Sequence, residues 1–294
     1  MTFLNKIKRI IAYLNDPKGV HLNDKICLMT AKVTFIFIRK AIRYLIGTSK
    51  RDKIFVKRYI TFVTVLRLIK KSPITVKNED GIFLCRTDET DLIMISDEHE
   101  RFLKEKYHLK ENDIVFDIGA HIGKYAIRAA KAVGKGGKVF AVEIEPTTYN
   151  ILCKNISLNK FDDIIKPLKI AISDRNGTID FYINKGRSEV NSIHDKWGEK
   201  IQVHTTTIDE LIDSNNLEKV TLIQMDIQGA EYEAILGAKK TIKKGVVETF
   251  IIETHTERNF ELIPPLLKPY YNIEIFARTG PDFGYLICKR KSNK

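Results

Sequence analysis

The sequence has few cysteines and no long apolar run, and both absences restrict what the protein can be. The four cysteines lie far apart, with no paired spacing, at Cys27, Cys85, Cys153 and Cys288. This spacing predicts reduced thiols in a cytoplasmic protein rather than a disulfide framework. No stretch reaches the roughly 18 apolar residues that mark a membrane-spanning helix. The N-terminus also lacks the apolar segment and cleavage site of a signal peptide.

Two common nucleotide-binding patterns are missing as well. The sequence has no P-loop, and its glycine-rich stretch Ile114–Gly123 (IVFDIGAHIG) lacks the G-x-G-x-x-G spacing that suits a pyrophosphate. Here an apolar strand pattern reaches Asp117, and then Gly119 and Gly123 lead into a helical pattern. Glycines let backbone approach a ligand, and a helix N-terminus offers free N–H groups. Because Asp117 is placed to pair with an ammonium group, the stretch favours S-adenosylmethionine over a dinucleotide or ATP.

The net charge of +12 is unevenly distributed along the chain. Residues 1–80 hold 18 Lys and Arg against 5 Asp and Glu, whereas the other 214 residues hold 31 against 32. The pattern of residues 1–77 predicts basic amphipathic helices that end at Ser72-Pro73. Three interpretations stay open for this region: a helical cap on the core, a surface for anionic lipid, or a nucleic-acid contact.

From Ile114 onward, apolar runs alternate with helical periodicity. Strands are predicted at Ile114–Ile118, Lys138–Glu143, Pro167–Ile172, Thr221–Asp226, Val246–Glu253, Tyr271–Phe276 and Tyr285–Lys289. Helices are predicted at His121–Val133, Thr147–Leu158, Ile208–Asn215, Glu231–Lys243 and Glu257–Leu266. Short loops between them indicate a doubly wound α/β sheet, closed by an antiparallel hairpin of the last two strands. We therefore divide the chain into a basic helical region (1–77), a short strand and helix connector (78–111), and an α/β domain (112–294).

Acids end three of the predicted strands, at Asp117, Glu143 and Asp226. In an open α/β sheet the ligand lies beyond the carboxyl ends of the strands, so these acids are expected at one site. Glu143 ends the second strand, 24 residues after Gly119. A carboxylate at that place is able to accept hydrogen bonds from both hydroxyls of a ribose, which we predict as its role.

Several blocks of sequence, in the right order, resemble the FkbM family of S-adenosylmethionine-dependent methyltransferases. They are DIGAHIGKYAI (117–127), KVFAVEIEPTTYNILCKNISLN (138–159), AISDRNGTIDF (171–181), TTIDEL (206–211), IQMDIQGAEYEAILGA (223–238) and IIETH (251–255). The resemblance implies a class I methyltransferase fold: a Rossmann-like seven-stranded sheet, mostly parallel, with an antiparallel C-terminal hairpin, here carrying an N-terminal helical extension. It also implies methyl transfer, usually to oxygen, on sugars, glycolipids or polyketide-type products.

The resemblance also implies site residues. Expected cofactor contacts are Asp117, Gly119, His121, Gly123, Tyr125, Glu143, Ser173, Asp174 and Asp226. Catalytic candidates at the ends of strands four and five are Asp226, Glu231, Glu253 and His255. We expect Asp226 to orient the acceptor or help bind the cofactor, with His255 or Glu253 as base. We assign no metal ligand, although Asp226, Glu253 and His255 together are the set that would suit a divalent ion such as Mg²⁺.

The chain departs from the family at two positions beside the fourth strand. Where the family usually reads K-x-D-x-E-G-x-E, this chain has Gln224 and Gln228 in place of the Lys and the first Glu. An amide carries no charge and cannot act as a base, so Gln228 is not a catalytic candidate. This place also lacks the N/D-P-P-Y/F tetrapeptide of many N-methyltransferases, which argues against methylation of base nitrogens.

The function that these observations favour is O-methylation of a sugar, glycolipid or other small-molecule hydroxyl by a cytoplasmic enzyme. The basic region 1–77 would bring it to the inner face of the membrane, near a lipid-linked glycan acceptor. Two alternatives stay open. One is an RNA methyltransferase whose basic region binds phosphates. The other is a non-catalytic, membrane-associated module that keeps only the cofactor fold.

Overall fold

A computed structural model describes residues 73–87, 91–95, 106, 108–183 and 198–292 of the chain. The chain divides into two compact units, Met1–Arg101 and Phe102–Lys294. The helices predicted within residues 1–72 lie outside the described residues, as does most of the connector helix, which the sequence pattern predicts at Asp97–Leu109. In the described parts of the chain, no helix is both long enough and apolar enough to cross a membrane.

The described part of the first unit is a small hairpin with one helical turn. Strands β1 (Ile74–Lys77) and β2 (Ile82–Cys85) pair antiparallel, and α1 (Asp91–Met94) follows. This confirms the two short strands and the hairpin turn that the sequence pattern predicts at Ile74–Val76 and Ile82–Cys85. The Asn78 Oδ1 atom accepts the N–H groups of the next turn residues, Asp80 and Gly81, and so fixes the turn.

The second unit is built on a twisted sheet with helices between its strands. Its strands are β3 (Ile114–Ile118), β4 (Lys138–Val142), β5 (Ile165–Leu168), β6 (Ala171–Ile172), β7 (Gly177–Ile183), β8 (Glu199–Thr206), β9 (Val220–Met225), β10 (Val247–Thr254), β11 (Tyr271–Thr279) and β12 (Phe283–Arg290). Its helices are α2 (Lys124–Val133), α3 (Pro146–Leu158), α4 (Ile208–Ser214), α5 (Glu231–Leu236), α6 (Lys239–Lys244) and α7 (Glu257–Leu267).

Seven of these strands form the main sheet, in the order β11-β12-β10-β9-β3-β4-β5. The pairs from β10 to β5 are all parallel, and β12 pairs antiparallel with both β10 and β11. The predicted class I methyltransferase architecture with a reversed C-terminal hairpin is therefore confirmed. Strand order reverses between β3 and β9, and ligands of such sheets bind beyond the carboxyl ends of the strands at that point.

The core explains why the central strands are apolar almost throughout. Both faces of β3, β4, β9 and β10 are covered, and their side chains are buried nearly end to end. Phe116 of β3 and Phe140 of β4 stack with ring centroids 4.5 Å apart. Helix α2 buries one face, including Ala126, Ile127 and Val133, and this rigid packing holds the carboxyl ends of the strands in place.

The third predicted strand, Pro167–Ile172, is in fact two strands in different sheets. Strand β5 is an edge strand of the main sheet, where the missing N–H of Pro167 is tolerated. The chain then leaves the sheet, and β6 joins a separate three-stranded sheet in the order β6-β8-β7. Strands β7 and β8 were not predicted, because much of each strand is exposed or half-buried and its sequence does not show an apolar strand.

The helix predicted at Glu231–Lys243 is divided into α5 and α6. Gly237 ends α5, and a Cβ atom there would lie 2.2 Å from the carbonyl oxygen of Ser173. The Asp209 carboxylate then accepts the backbone N–H groups of Lys240 and Thr241 in the first turn of α6. Close backbone packing and a new N-terminal cap therefore interrupt a pattern that reads as one helix.

Candidate active site

The glycine turn after β3 lies against the ends of two neighbouring strands. Gly119 and Gly123 both adopt left-handed backbone angles, with φ of +87° and +96°. A Cβ atom on Gly119 would lie 1.8 Å from the carbonyl oxygen of Asp226, so only glycine fits there. The N–H groups of Gly119 and Ala120 both donate to the carbonyl oxygen of Val142, at 2.9 Å. The turn is thus fixed to the end of β4 and pressed against the residue that follows β9.

Helix α3 supports the same turn from below through a residue that sequence reasoning missed. Asn155 is fully buried, and its side-chain amide donates to the carbonyl oxygen of Ile122 at 2.9 Å. The neighbouring Leu152 contacts Gly123, where a Cβ atom would meet its Cδ1 atom at 2.7 Å. The available signal was an asparagine among the apolar positions that α3 buries, since a buried amide needs hydrogen-bond partners.

Asp117 is a buried acid near the end of β3 whose carboxylate makes no well-formed hydrogen bond within the described residues. Neither carboxylate oxygen has a hydrogen-bond partner in the described part of the chain. Burial raises the pKa of Asp117 to about 7; the Glu143 charge adds to this, while the Ala126 N–H and the Arg128 charge oppose it. An unsatisfied buried carboxylate is costly unless a ligand supplies a donor or a positive charge. It therefore suits a ligand that carries an ammonium group.

Glu143 follows β4 and is held rigidly by backbone donors. Its Oε2 atom accepts the N–H of His121 at 2.9 Å, and its Oε1 atom accepts the N–H groups of Ile144 and Glu145, both at 2.8 Å. Burial raises the pKa of Glu143 to about 7, although these three N–H groups lower it. His121 thus contributes its backbone N–H from a left-handed conformation with φ of +50°. Glu143 stays the candidate for the ribose hydroxyls.

The remaining predicted cofactor contacts lie on α2 and beside the small sheet. Tyr125 is in the first turn of α2, with the Arg128 guanidinium carbon 5.3 Å from its ring centroid. Ser173 and Asp174 follow β6, and the Ser173 hydroxyl donates to Asp174 at 3.2 Å. The N–H of Ser173 donates to the Thr206 carbonyl oxygen at 2.9 Å, which ties this loop to β8. The contact of Ser173 and Asp174 with the adenine ring of the cofactor remains a prediction.

The catalytic candidates converge where β9 and β10 end. The strands are in register, with Ile118 beside Met225 and Met225 beside Ile252, so the residues that follow them share one edge of the sheet. The His255 Nε2 atom lies 3.5 Å from Glu253 Oε1 and 3.8 Å from Asp226 Oδ1. One ligand atom from each of these three residues lies within 4.8 Å of the others. Groups about 30 residues apart in the chain thus form one compact cluster.

Glu231 supports this cluster from beneath and is itself inaccessible. It has no exposed surface, and its Oε1 atom accepts the N–H groups of Ile227 and Gly229, both at 3.1 Å. Its other oxygen accepts a short hydrogen bond from the Asn259 side-chain amide. The same Oε1 atom lies 3.8 Å from the Nδ1 atom of His255. This placement suits a residue that orients His255 and the loop after β9, rather than one that touches the acceptor.

Gln228, the residue that replaces the family glutamate, reaches the centre of the cluster. Its backbone is left-handed, with φ of +53°. Its side-chain nitrogen donates to Asp226 Oδ1 at 2.9 Å and lies 3.1 Å from His255 Nε2. The amide therefore stands between the acid and the imidazole, and it keeps the position of a glutamate without its charge.

The pKa values of Asp226 and His255 are shifted in a way that differs from the expectation that His255 acts as the base. Burial raises the pKa of Asp226 to about 8; the Glu253 and Glu231 charges add to this, and His255 opposes it. Burial alone would lower the pKa of His255, but the nearby Glu231 and Glu253 carboxylates, which attract the imidazole N–H groups, and the Asp226 charge raise it to about 11. In the ligand-free cluster the surrounding carboxylates therefore favour a protonated imidazole, while burial moves the pKa of Asp226 upward toward neutrality. Asp226 is thus better matched to the role of proton acceptor than His255.

The observed donors fit S-adenosylmethionine. Asp117 offers an unpaired carboxylate, Gly119 and Gly123 open the backbone of the turn, and Glu143 presents a fixed acid beside them. When bound, this cofactor supplies a methyl group that is already activated on a sulfonium. The cluster around Asp226 is adjacent, because Gly119 packs directly against the Asp226 carbonyl.

Comparison with known proteins agrees with this arrangement. A family model described as "Methyltransferase FkbM domain" matches residues 117–282. The chain is 28% identical to the hexuronic acid methyltransferase AglP of Haloferax volcanii over 186 residues. This alignment covers 63% of this chain and 73% of AglP. The chain is also 30% identical to the 2-O-methyltransferase NoeI of Sinorhizobium fredii over 152 residues. That alignment covers 46% of this chain and 61% of NoeI.

A crystal structure of a methyltransferase FkbM from Methylobacillus flagellatus is also similar, with a TM-score of 0.47 and 15% sequence identity. The similarity covers 87% of this chain and 60% of that one. The family model itself spans more than half of the chain and runs from Asp117, at the end of β3, to Asp282, in the hairpin after β11. The chain belongs to the FkbM family of S-adenosylmethionine-dependent methyltransferases.

Proposed function

We propose that this enzyme is an O-methyltransferase that methylates a hydroxyl group of a sugar-containing acceptor. The observation that carries the proposal is the placement of Asp226, a partly accessible acid whose pKa is raised to about 8, directly beside the glycine turn. A hydroxyl must lose its proton as its oxygen accepts a methyl group, so it needs an acceptor with a pKa near the working pH. Asp226 meets that need.

The surroundings of the cluster support a sugar as the acceptor. Phe283, at the start of β12, is partly exposed, and its ring meets His255 edge to face with centroids 5.6 Å apart. An aromatic surface beside a few fixed polar groups is the usual lining of a small-molecule pocket. The two similar enzymes described above are named for a hexuronic acid and for 2-O-methylation, which also supports a sugar hydroxyl.

In the proposed reaction each residue of the cluster has a distinct part. Asp226 takes the proton of the acceptor hydroxyl. The protonated His255 stabilises the carboxylates around it, and Glu253 helps to orient the acceptor. Glu231 holds the loop after β9 in place through its buried hydrogen bonds and places a negative charge 3.8 Å from the Nδ1 atom of His255.

The proposal is tested by transfer of a radiolabelled methyl group from S-adenosylmethionine to separated glycan, glycolipid and RNA fractions. We expect label in a glycan or glycolipid fraction. Asp226→Asn should lower turnover about 100-fold or more, the usual contribution of general base catalysis. Glu248→Gln, at the far end of β10 in an exposed ion pair with Lys219, is the control and should leave turnover unchanged. Full activity of Asp226→Asn, or label only in RNA, would contradict the proposal.

A second part of the proposal concerns the basic N-terminal region, residues 1–77. Its excess of 13 positive charges over residues 1–80 supports attraction to an acidic or lipid-linked acceptor at a membrane surface. We expect the full chain to sediment with vesicles that contain anionic lipid, but not with neutral vesicles, and to be released by salt. Equal binding to both vesicle types, or to neither, would count against this part.

A further inference from the structure

The cluster at the ends of β9 and β10 combines the donor atoms of a metal centre. Asp226 and Glu253 offer carboxylate oxygens, and His255 offers a ring nitrogen that points at both of them, at 3.8 and 3.5 Å. Two ligands that bind one ion at about 2.1 Å lie about 3 Å apart when they are adjacent in an octahedron. Small rotations of the side chains would therefore bring all three atoms into coordination distance.

The ring of His255 is oriented as it is in metal sites. A histidine that binds metal through one nitrogen almost always directs the other at a carboxylate or carbonyl. Here Nε2 faces Asp226 and Glu253, while Nδ1 faces the fully buried Glu231 at 3.8 Å. Glu231 is fixed in turn by two backbone N–H groups. The structure thus holds a carboxylate behind the imidazole and two carboxylates in front of it.

The side chain of Gln228 lies beside the three ligand atoms and would face a cation bound between them. Its amide nitrogen is 2.9 Å from Asp226 Oδ1 and 3.1 Å from His255 Nε2, so a group with positive N–H density already stands between the ligand atoms. Half a turn about the last side-chain torsion exchanges this nitrogen for the amide oxygen, which is itself a ligand for hard cations. Gln228 can therefore serve as a fourth ligand.

We propose that Asp226, Glu253 and His255 form a binding site for a divalent cation of the Mn²⁺ or Mg²⁺ type, with Gln228 as a further ligand. Two oxygens and one imidazole nitrogen suit ions of this group, with Mn²⁺ the better match to the nitrogen. Binding would release the proton that the surrounding carboxylates favour on His255, because only the neutral imidazole is a ligand. The binding site stands on its geometry alone. The role of the cation rests on the proposed function: an open coordination position would bind the acceptor oxygen and make its hydroxyl more acidic, and the Asp226 oxygen that does not coordinate the cation would take the proton.

Binding is measured on the full chain by titration with Mn²⁺ at one fixed pH, using the electron paramagnetic resonance signal of free Mn²⁺. We expect one Mn²⁺ per wild-type chain, and about tenfold or greater loss of affinity in both Asp226→Asn and Glu253→Gln. The control Glu248→Gln lies on the same strand β10, outside the cluster, and should bind Mn²⁺ as the wild type does.

The decisive variant is Gln228→Glu, because a gain of affinity cannot come from misfolding. A fourth carboxylate at this position should tighten Mn²⁺ binding by about tenfold, since affinity rises with the charge of the ligands. Absence of a one-to-one site up to millimolar Mn²⁺ would overturn the proposal. So would an equal affinity of the wild type, Asp226→Asn and Gln228→Glu.

A second measurement separates the site from the reaction. Methyl transfer by protein dialysed against a chelator should fall and should return when Mn²⁺ is added. Transfer that persists undiminished after chelation would overturn the role of the cation and leave the proposed methylation intact. One-to-one Mn²⁺ binding without transfer to any glycan fraction would support the site and contradict only the proposed function.

Discussion

Three glycines with positive φ angles allow the packing of the cofactor turn to be tested separately from backbone strain. Gly119, Gly123 and Gly134 all have positive φ angles, of +87°, +96° and +63°. Alanine in a left-handed conformation costs about 1–2 kcal/mol, and alanine at Gly134 carries at least as much strain, because its ψ of −168° lies in a region essentially restricted to glycine. Their surroundings differ: a Cβ atom would meet the Asp226 carbonyl oxygen at 1.8 Å, a flexible Leu152 methyl group at 2.7 Å, and only a Glu111 carbon at 3.9 Å.

We therefore expect the three alanine variants to differ in their affinity for S-adenosylmethionine. At Gly119 the neighbour is backbone, so the turn itself must move, which adds an overpacking cost of about 1–3 kcal/mol. Because that movement separates Gly119 from Val142, the loss should appear in cofactor binding, as an increase in Kd of about 30-fold or more. Gly123→Ala should be milder, since the Leu152 side chain can rotate.

The assay is titration calorimetry with S-adenosylmethionine, with thermal unfolding measured in parallel. Gly134→Ala is the matched control, because it carries the strain at the far end of α2 without the clash. It should lower the melting temperature by a few degrees and leave the Kd unchanged. The reasoning would be refuted if Gly119→Ala bound the cofactor within threefold of wild type, or if Gly134→Ala lost as much affinity.

Three further predictions follow from the same contacts. The pKa values of Asp117 and Glu143 are both raised to about 7, so the ligand-free carboxyls are protonated below that pH. Asp117 must ionise to pair with an ammonium group, and Glu143 must ionise to accept hydrogen bonds from both ribose hydroxyls. Affinity for S-adenosylmethionine should therefore fall as pH falls from 8 to 6, by up to about tenfold per unit for each group, and Asp117→Asn should reduce this dependence. Asn155→Ala removes a buried amide and should lower the free energy of unfolding by about 1–3 kcal/mol, measured by urea unfolding; no change would contradict the supporting role of Asn155. Gly237→Ala forces a Cβ atom to 2.2 Å from the Ser173 carbonyl oxygen and should destabilise the protein by about 1–3 kcal/mol, whereas wild-type stability would refute this contact.

Much of the fold was predictable because it depends on hydrophobic patterns within short stretches of sequence. Buried parallel strands are apolar along nearly their whole length, so an apolar run such as that in Lys138–Val142 is recognisable as a strand from the sequence. Prediction failed where tertiary contacts override local preference. Strands β7 and β8 pair with each other and with β6 while leaving much of their surface exposed, and a glycine contact with Ser173 divides the helix predicted at Glu231–Lys243.

The candidate site was predictable in its members but not in their roles. The glycine turn, Glu143 and the acids that follow the central strands stand out in the sequence, because a parallel sheet brings its carboxyl ends together. Asn155 was missed, since its role depends on a contact with a carbonyl group 33 residues earlier in the chain. Sequence reasoning also could not separate a buried supporting acid such as Glu231 from an accessible one such as Asp226.

The sequence by itself thus determined the strand and helix pattern, the family and the cofactor, because these depend on periodicity and on motifs that lie within a few residues. Only the tertiary structure decided which acid is accessible, which nitrogen of His255 faces which carboxylate, and that Gln228 stands between them. The physical reason is that pKa values and coordination depend on burial and on distances of a few ångströms. Those distances are set by the packing of strands that are remote in the chain.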